Sequence, residues 1–210
     1  MVVPKIKICG ITRLEDALYA ASCGCDAIGF VFYRKSPRYI RPEEARVIRK
    51  LLPKRITTVG VFVNARASAV RRIAQECPLD MLQFHGTESP AWCAQFKHHG
   101  VIKAFRVKEA IDFPRVLRYD VDMFLFDSWS ERCRGGTGRR FNWKALSDAR
   151  ATARPIVLSG GLTSRNVRRA IRHVNPAWVD VSSSVEGSPG KKDHKKIARF
   201  IAAVKRRHST

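Results

Sequence analysis

Cys9 stands immediately before Gly10, and three other groups able to move a proton or bind an anion precede small residues in the same way: His85 before Gly86, Asp127 before Ser128, and Ser159 before Gly160-Gly161. Asp180 is followed by Val181 and then by Ser182, Ser183 and Ser184, and Arg38 closes the run Arg34-Lys35-Ser36-Pro37-Arg38. Thiol, imidazole and carboxylate groups are the usual carriers in general acid–base chemistry. Glycine amides and serine hydroxyls let a backbone approach an anion closely, and the positive end of a following helix adds to the field. A guanidinium holds a carboxylate or phosphate through two parallel hydrogen bonds. The set as a whole predicts proton transfer on a small anionic molecule, with Ser159-Gly160-Gly161 and Ser182-Ser183-Ser184 as the phosphate-binding segments.

Each of these groups follows a short apolar, β-branched run. Eight such runs occur, at Lys5–Cys9, Ala27–Phe32, Thr57–Val63, Met81–Phe84, Val101–Val107, Met123–Phe126, Pro155–Leu158 and Trp178–Val181. Near-continuous apolar runs suit parallel strands covered on both faces. Segments of helical spacing lie between them. Val167, Ala170, Ile171 and Val174 follow i, i+3, i+4, i+7, as do Ile197, Phe200, Ile201 and Val204. Ala45, Ile48 and Leu52 form a stripe after Pro42-Glu43-Glu44, a first turn with proline and acidic residues. The segment after Phe113-Pro114 has the weakest helical pattern. Eight strand–helix units in 210 residues predict an α/β fold, a single (β/α)8 barrel over residues 1–210. Side chains at the carboxyl ends of its strands converge on one mouth. A doubly wound open sheet would usually have fewer strands, and would carry a G-x-G-x-x-G turn if it bound a dinucleotide.

The formal charge is +22, from 40 Lys and Arg against 18 Asp and Glu. The cations are scattered between the apolar positions of the helical segments, as at Arg168, Arg169 and Arg172 or Lys195, Lys196 and Arg199. That distribution predicts solvated outer faces, and no aromatic-interleaved basic motif points to specific nucleic-acid recognition. Six cysteines make no C-x-x-C pair, and no histidine pair has zinc spacing, so no metal is expected. Cys23, Cys77 and Cys93 lie in helix-like segments and read as small buried hydrophobes. No apolar run approaches the roughly 18 residues of a membrane span, and the start shows no signal-peptide core. A cytoplasmic protein with reduced thiols is expected. High net charge favours a monomer.

With Lys7-Ile-Cys9-Gly-Ile-Thr12 and Asp127 placed at strand ends, the chain resembles the phosphoribosylanthranilate isomerase family of tryptophan biosynthesis. The resemblance runs the whole length, through Gly29-Phe-Val-Phe32, Lys35-Ser-Pro-Arg-Tyr-Ile40, Val59-Gly-Val-Phe-Val-Asn64, Gln83-Phe-His-Gly86, Gly136-Thr-Gly138, Leu158-Ser-Gly-Gly-Leu162, Asp180-Val-Ser-Ser183 and Pro189-Gly-Lys-Lys-Asp193. It implies an Amadori rearrangement that needs no cofactor. Asp127 would be the general acid that opens the ribose ring, Cys9 the general base that removes the C2′ proton, and Arg38 the partner of the anthranilate carboxylate. His85, Gly138 and Asp180 are expected at the substrate. Gly135-Gly136-Thr137-Gly138-Arg139 reads either as an ordinary loop or as a lid over the substrate.

This chemistry makes opposite demands on the two groups. Only about one Asp in a thousand carries a proton at pH 7 at its reference pKa, so the acid needs an apolar setting, which Met123-Phe-Leu-Phe126 offers. A free thiol is only a few per cent thiolate at that pH, so Cys9 needs a positive neighbour, either Lys7 or Arg38. One departure is visible. The family usually reads Ser-Ser-Gly-Val-Glu where this chain has Ser182-Ser183-Ser184-Val185-Glu186. If that backbone requires positive φ, serine would cost around 1 kcal/mol. The competing readings are another phosphosugar isomerase of the histidine-pathway type, which resembles this one but uses Asp at the end of strand one, and a basic nucleic-acid-binding barrel.

Overall fold

The computed structural model describes residues 3–107, 110–127, 146 and 152–206. Eight parallel strands close into a barrel in chain order: β1 (Lys5–Cys9), β2 (Ala27–Val31), β3 (Thr57–Phe62), β4 (Met81–Phe84), β5 (Gly100–Arg106), β6 (Met123–Asp127), β7 (Ile156–Ser159) and β8 (Trp178–Val181). β8 pairs back onto β1, with Lys7 opposite Asp180 and Ile8 opposite Val181. All eight apolar runs became strands. Two strands shift by a residue: β5 starts and ends one residue earlier than the sequence suggests, and β7 starts one later and takes in Ser159; β6 extends to include Asp127.

The apolar runs are continuous because both faces of each strand are covered. Ala27, Val59, Ile102, Ala104, Met123, Leu125, Val157 and Trp178 fill the barrel interior. Alternate residues such as Ile6, Ile28, Phe62, Leu82, Phe124 and Val179 pack outward in the larger core with the helices. A smaller inner cluster of Cys9, Val31 and Val61 sits beside Tyr33. At the opposite end of the barrel the carboxylates of Asp26, Asp80 and Asp122 accept hydrogen bonds from the amides of Ile6, Thr58 and Val101 at 2.7–2.8 Å. Each of these aspartates immediately precedes an even-numbered strand and ties down the odd-numbered strand before it.

The described helices are α1 (Leu14–Ser22), α2 (Pro42–Leu51), α3 (Ala67–Glu76), α4 (Pro90–Ala94), α5 (Phe113–Val116), α6 (Val167–Val174) and α7 (His194–Lys205). α2 starts at the proline and acidic turn read from the sequence, where the Arg41 amide donates to Glu44 Oε2 at 3.1 Å. α6 buries Val167, Ala170, Ile171 and Val174, the predicted stripe, and stops at Asn175 in the left-handed region. α5 is a single turn of four residues, in keeping with its weak pattern. Two short strands, β9 (Glu186–Ser188) and β10 (Lys191–Lys192), form an antiparallel hairpin after β8 that the sequence did not announce. Cys77 and Cys93 are buried as expected, whereas Cys23 is half-buried; Cys25 joins the core instead. Among the described residues no helix is long and apolar enough to cross a membrane.

Candidate active site

Cys9 is the last residue of β1 and is buried, with Lys7 two residues before it on the same face of the strand. Lys7 is wholly buried and donates from Nζ to Asp180 Oδ1 at 2.8 Å, and Asp180 Oδ2 accepts from Ser159 Oγ at 3.0 Å. Burial works against the Lys7 charge, but Asp180 and Cys9 outweigh it and hold the ammonium above the ordinary lysine range. Burial pushes the Cys9 thiol up. Lys7 pulls it down, Asp180 adds to the rise, Lys192 adds to the fall, and the thiol ends above its ordinary range. The sequence-based demand for a readily ionised Cys9 is therefore not met, although Lys7 stands beside it as expected, because desolvation of the thiolate exceeds the help from the two ammonium groups.

Arg38 lies across the end of β1, close enough to Gly10 that a β-carbon there would meet its Cδ at 2.6 Å. Of the two cations proposed for Cys9, Arg38 is engaged elsewhere. Its Nε and Nη2 donate to Glu186 Oε1 and Oε2 at 2.8 and 2.6 Å. Lys192 Nζ donates to the same Glu186 Oε1 at 2.9 Å, to the carbonyl of Cys9 at 2.6 Å and to that of Ser182 at 3.2 Å. Burial would raise the Glu186 carboxyl, but the bonds from Arg38 and Lys192 hold it below the usual carboxylate range. Burial in turn pushes Lys192 below the ordinary lysine range, with Glu186 opposing. Glu186 thus binds the Nε–Nη2 edge of the Arg38 guanidinium.

Asp127 ends β6 on the other side of the mouth, its side chain 19% exposed. His85 Nε2 lies 3.2 Å from Asp127 Oδ2, and the amide nitrogen of Gln83 lies 3.0 Å from His85 Nδ1. The imidazole thus lies between the Gln83 amide and the Asp127 carboxyl, and Gln83 Oε1 is buried without a hydrogen-bond partner. A cavity of about 320 Å³ opens beside this pair, lined by Asn64, His85, Thr87, Phe105, Arg106 and Arg115 among others. Beneath it, Lys103 Nζ is buried against the carbonyls of Phe84 and Gly86 and against Glu88 Oε2 at 2.8 Å.

The loops after β7 and β8 hold the two segments that the sequence suggests for phosphate. Gly160 and Gly161 both have positive φ, +85° and +58°, conformations that an L side chain rarely adopts. Asn166 braces this loop, its Oδ1 accepting from the Thr163 amide and its Nδ2 donating to the Gly161 carbonyl, both at 2.8 Å. After β8 the chain makes a 3-10 turn over Ser183–Val185. Ser182 Oγ is buried without a hydrogen-bond partner, and Ser183 is exposed. Ser184 does not require the left-handed backbone feared from the sequence: it is absent from the positive-φ positions, and its hydroxyl donates to the carbonyl of Leu162, tying the two loops together. Gly138 and the Gly135–Arg139 stretch lie outside the described residues.

The structure therefore brings Cys9, Arg38, Asp180, Ser159 and Ser182 into one connected group, and His85 with Asp127 into another. Sequence reasoning missed Gln83, Glu186 and Lys192. Gln83 had a signal, a polar residue two before His85 in a buried strand. Glu186 and Lys192 stood in two of the stretches compared with the family, but nothing local pointed to their contacts with Arg38 and Cys9, which span 148 and 183 residues.

The sequence matches the family described as N-(5′-phosphoribosyl)anthranilate (PRA) isomerase over residues 6–203. An N-(5′-phosphoribosyl)anthranilate isomerase from Pelobacter propionicus is 50% identical over 205 residues, 98% of this chain and 97% of that protein. A crystal structure of phosphoribosyl anthranilate isomerase in complex with reduced 1-(o-carboxyphenylamino)-1-deoxyribulose 5-phosphate superposes with a TM-score of 0.87 at 44% identity, covering 96% of this chain and 98% of that one. Monomers generated from the dimeric enzyme of Thermotoga maritima give 0.86 at 43% identity over the same shares. With its barrel, its paired loops and nearly its full length matched, the chain belongs to the phosphoribosylanthranilate isomerase family.

Proposed function

We propose that this chain isomerises N-(5-phosphoribosyl)anthranilate to 1-(2-carboxyphenylamino)-1-deoxyribulose 5-phosphate, in one barrel domain, without metal or organic cofactor. The observation that carries the reading is the pairing, at a single barrel mouth, of a thiol on β1 with a carboxyl on β6, next to the two loops after β7 and β8. The substrate phosphate sits against the amides and hydroxyls of residues 159–161 and 182–183, and its carboxylate meets Arg38. Asp127 gives its proton to the ring oxygen. The C1′–O bond breaks, its electron pair goes to oxygen, and the nitrogen lone pair forms a C1′=N iminium. Cys9, as thiolate, takes the C2′ proton. The C–H pair becomes a C1′=C2′ double bond while the C=N π pair returns to nitrogen, and the resulting enolamine tautomerises to the ketone. His85 serves as the partner that orients the acid, and Asp180 holds Lys7.

The test is direct. Anthranilate-type fluorescence of freshly made phosphoribosylanthranilate falls on adding purified protein; fluorescence that does not change would overturn the proposal. The chain acts in the cytoplasm, in keeping with five described cysteines that are free thiols. It acts as a monomer, in keeping with its +22 charge. Light scattering at assay concentration checks the second point.

A further inference from the structure

A buried ammonium needs a partner, and Asp180 alone would satisfy Lys7. Yet Lys7 and Cys9 share one face of β1, and the ammonium and the sulfur both lie beside Gly29. Gly29, paired across β2 with Cys9, makes that arrangement possible. A β-carbon on Gly29 would sit 2.9 Å from Cys9 Sγ and 3.1 Å from Lys7 Nζ, and 3.1 Å from the Cys9 Cα. Any larger residue there would push the ammonium and the sulfur out of the space they share.

We propose that Lys7 is a positioning residue for the base, its ammonium reaching the Cys9 thiolate through the gap that Gly29 leaves open. The inference rests on the reading of Cys9 as the base. The other charges around the sulfur do not take this part. Lys192, from β10, directs its ammonium at the Cys9 carbonyl and at Glu186 of β9. Arg38, from the loop after β2, faces the same Glu186. Asp180, from β8, opposes the thiolate and competes with it for Lys7. Lys7 is thus the one cation among these whose ammonium borders the same Gly29 gap as the sulfur.

The sign follows from the charge. A neighbouring ammonium favours thiolate over thiol, so losing it raises the Cys9 pKa and moves the rising limb of kcat/KM to higher pH. Lys7→Met alone would strand the Asp180 carboxylate in the core. The informative pair is therefore Lys7→Met/Asp180→Asn against Asp180→Asn, with Gly29→Ala as an independent route that keeps both the lysine and the aspartate side chains. Two readouts apply to each: kcat/KM against pH, and the rate at which iodoacetamide alkylates Cys9, followed by mass spectrometry of its peptide. A limb shifted up by about one unit is expected, with both rates down about tenfold at pH 7 and recovering at higher pH. A merely structural role would lower activity without moving the limb or the alkylation rate, and that result overturns the inference. If Cys9→Ala keeps wild-type turnover, the base reading falls and this inference with it. If Cys9→Ala is inactive while the Lys7 and Gly29 variants keep the wild-type limb, only this inference falls.

Discussion

At the β1–β8 edge of the barrel mouth the charged groups face inward and one another: Lys7 with Asp180, and Arg38 and Lys192 with Glu186. At the β4–β6 edge, Asp127 and His85 share one hydrogen bond and stay partly exposed beside an open cavity. The buried pair on that side, Lys103 with Glu88, lies beneath the strand ends and clamps the loop that begins at His85, with Glu88 Oε2 also accepting from the Gly86 amide at 2.9 Å. The two sides meet charge differently: beside the proposed base, Lys7 and Lys192 are paired with buried carboxylates, whereas the proposed acid Asp127 meets an imidazole within hydrogen-bond distance and has Arg106 opposite it on β5.

The sharpest test of that division removes each reacting group in turn. Cys9→Ala and Asp127→Asn should each lower turnover on the order of 10²–10⁴-fold, the range of general acid–base catalysis. Near wild-type rates in either variant would break the assignment of that side. The next effect is structural. Glu186→Ala leaves two cations without their shared carboxylate and should cost about 3 kcal/mol in chemical denaturation, with KM raised because Arg38 loses its orientation.

The same carboxylate sets an acid limit. Its pKa is lower folded than unfolded, so its contribution is complete above the ordinary glutamate range and disappears as pH falls through and below that range. Stability curves of wild type and Glu186→Ala should therefore run parallel near neutrality and converge toward acid; a constant gap down to strong acid would argue against the ion network. On the other side of the mouth, His85→Asn removes one hydrogen bond to Asp127 and should reduce kcat by about fivefold, the rate equivalent of roughly 1 kcal/mol. A loss as large as that of Asp127→Asn would show that His85 does more than orient the acid. Smallest of all, Arg72→Ala breaks an exposed i, i+4 pair with Glu76 at 2.8 Å and should change stability by only about 0.3–0.5 kcal/mol. A larger loss would mean that the basic surface matters as much as the buried charges.

Much of the barrel was legible before any coordinates. Parallel strands covered on both faces must be apolar throughout, and that necessity writes eight runs into the chain. The helices were legible where one face packs on the barrel, as in α6 and α7, and faint where a single turn suffices, as in α5. The β9–β10 hairpin was invisible because its five residues, Glu186-Gly-Ser188 and Lys191-Lys192, include no apolar side chain to set a period. Ser184 was misjudged for a related reason. Whether a position needs positive φ depends on the turn around it, and here a 3-10 turn accommodates serine without strain.

What the sequence by itself determined is the list of strand ends and the groups upon them: Cys9, Arg38, Asp127, Ser159 and Asp180 could be named because a strand's end is a local property. What only the tertiary structure decided is which of those groups touch. Closing the barrel sets Asp180 on Lys7, folds the hairpin so that Glu186 and Lys192 reach Arg38 and the Cys9 carbonyl, and opens at Gly29 the space that ammonium and sulfur both border. Those contacts join residues more than a hundred positions apart, or turn on the absence of a single β-carbon. No periodicity along the chain encodes either.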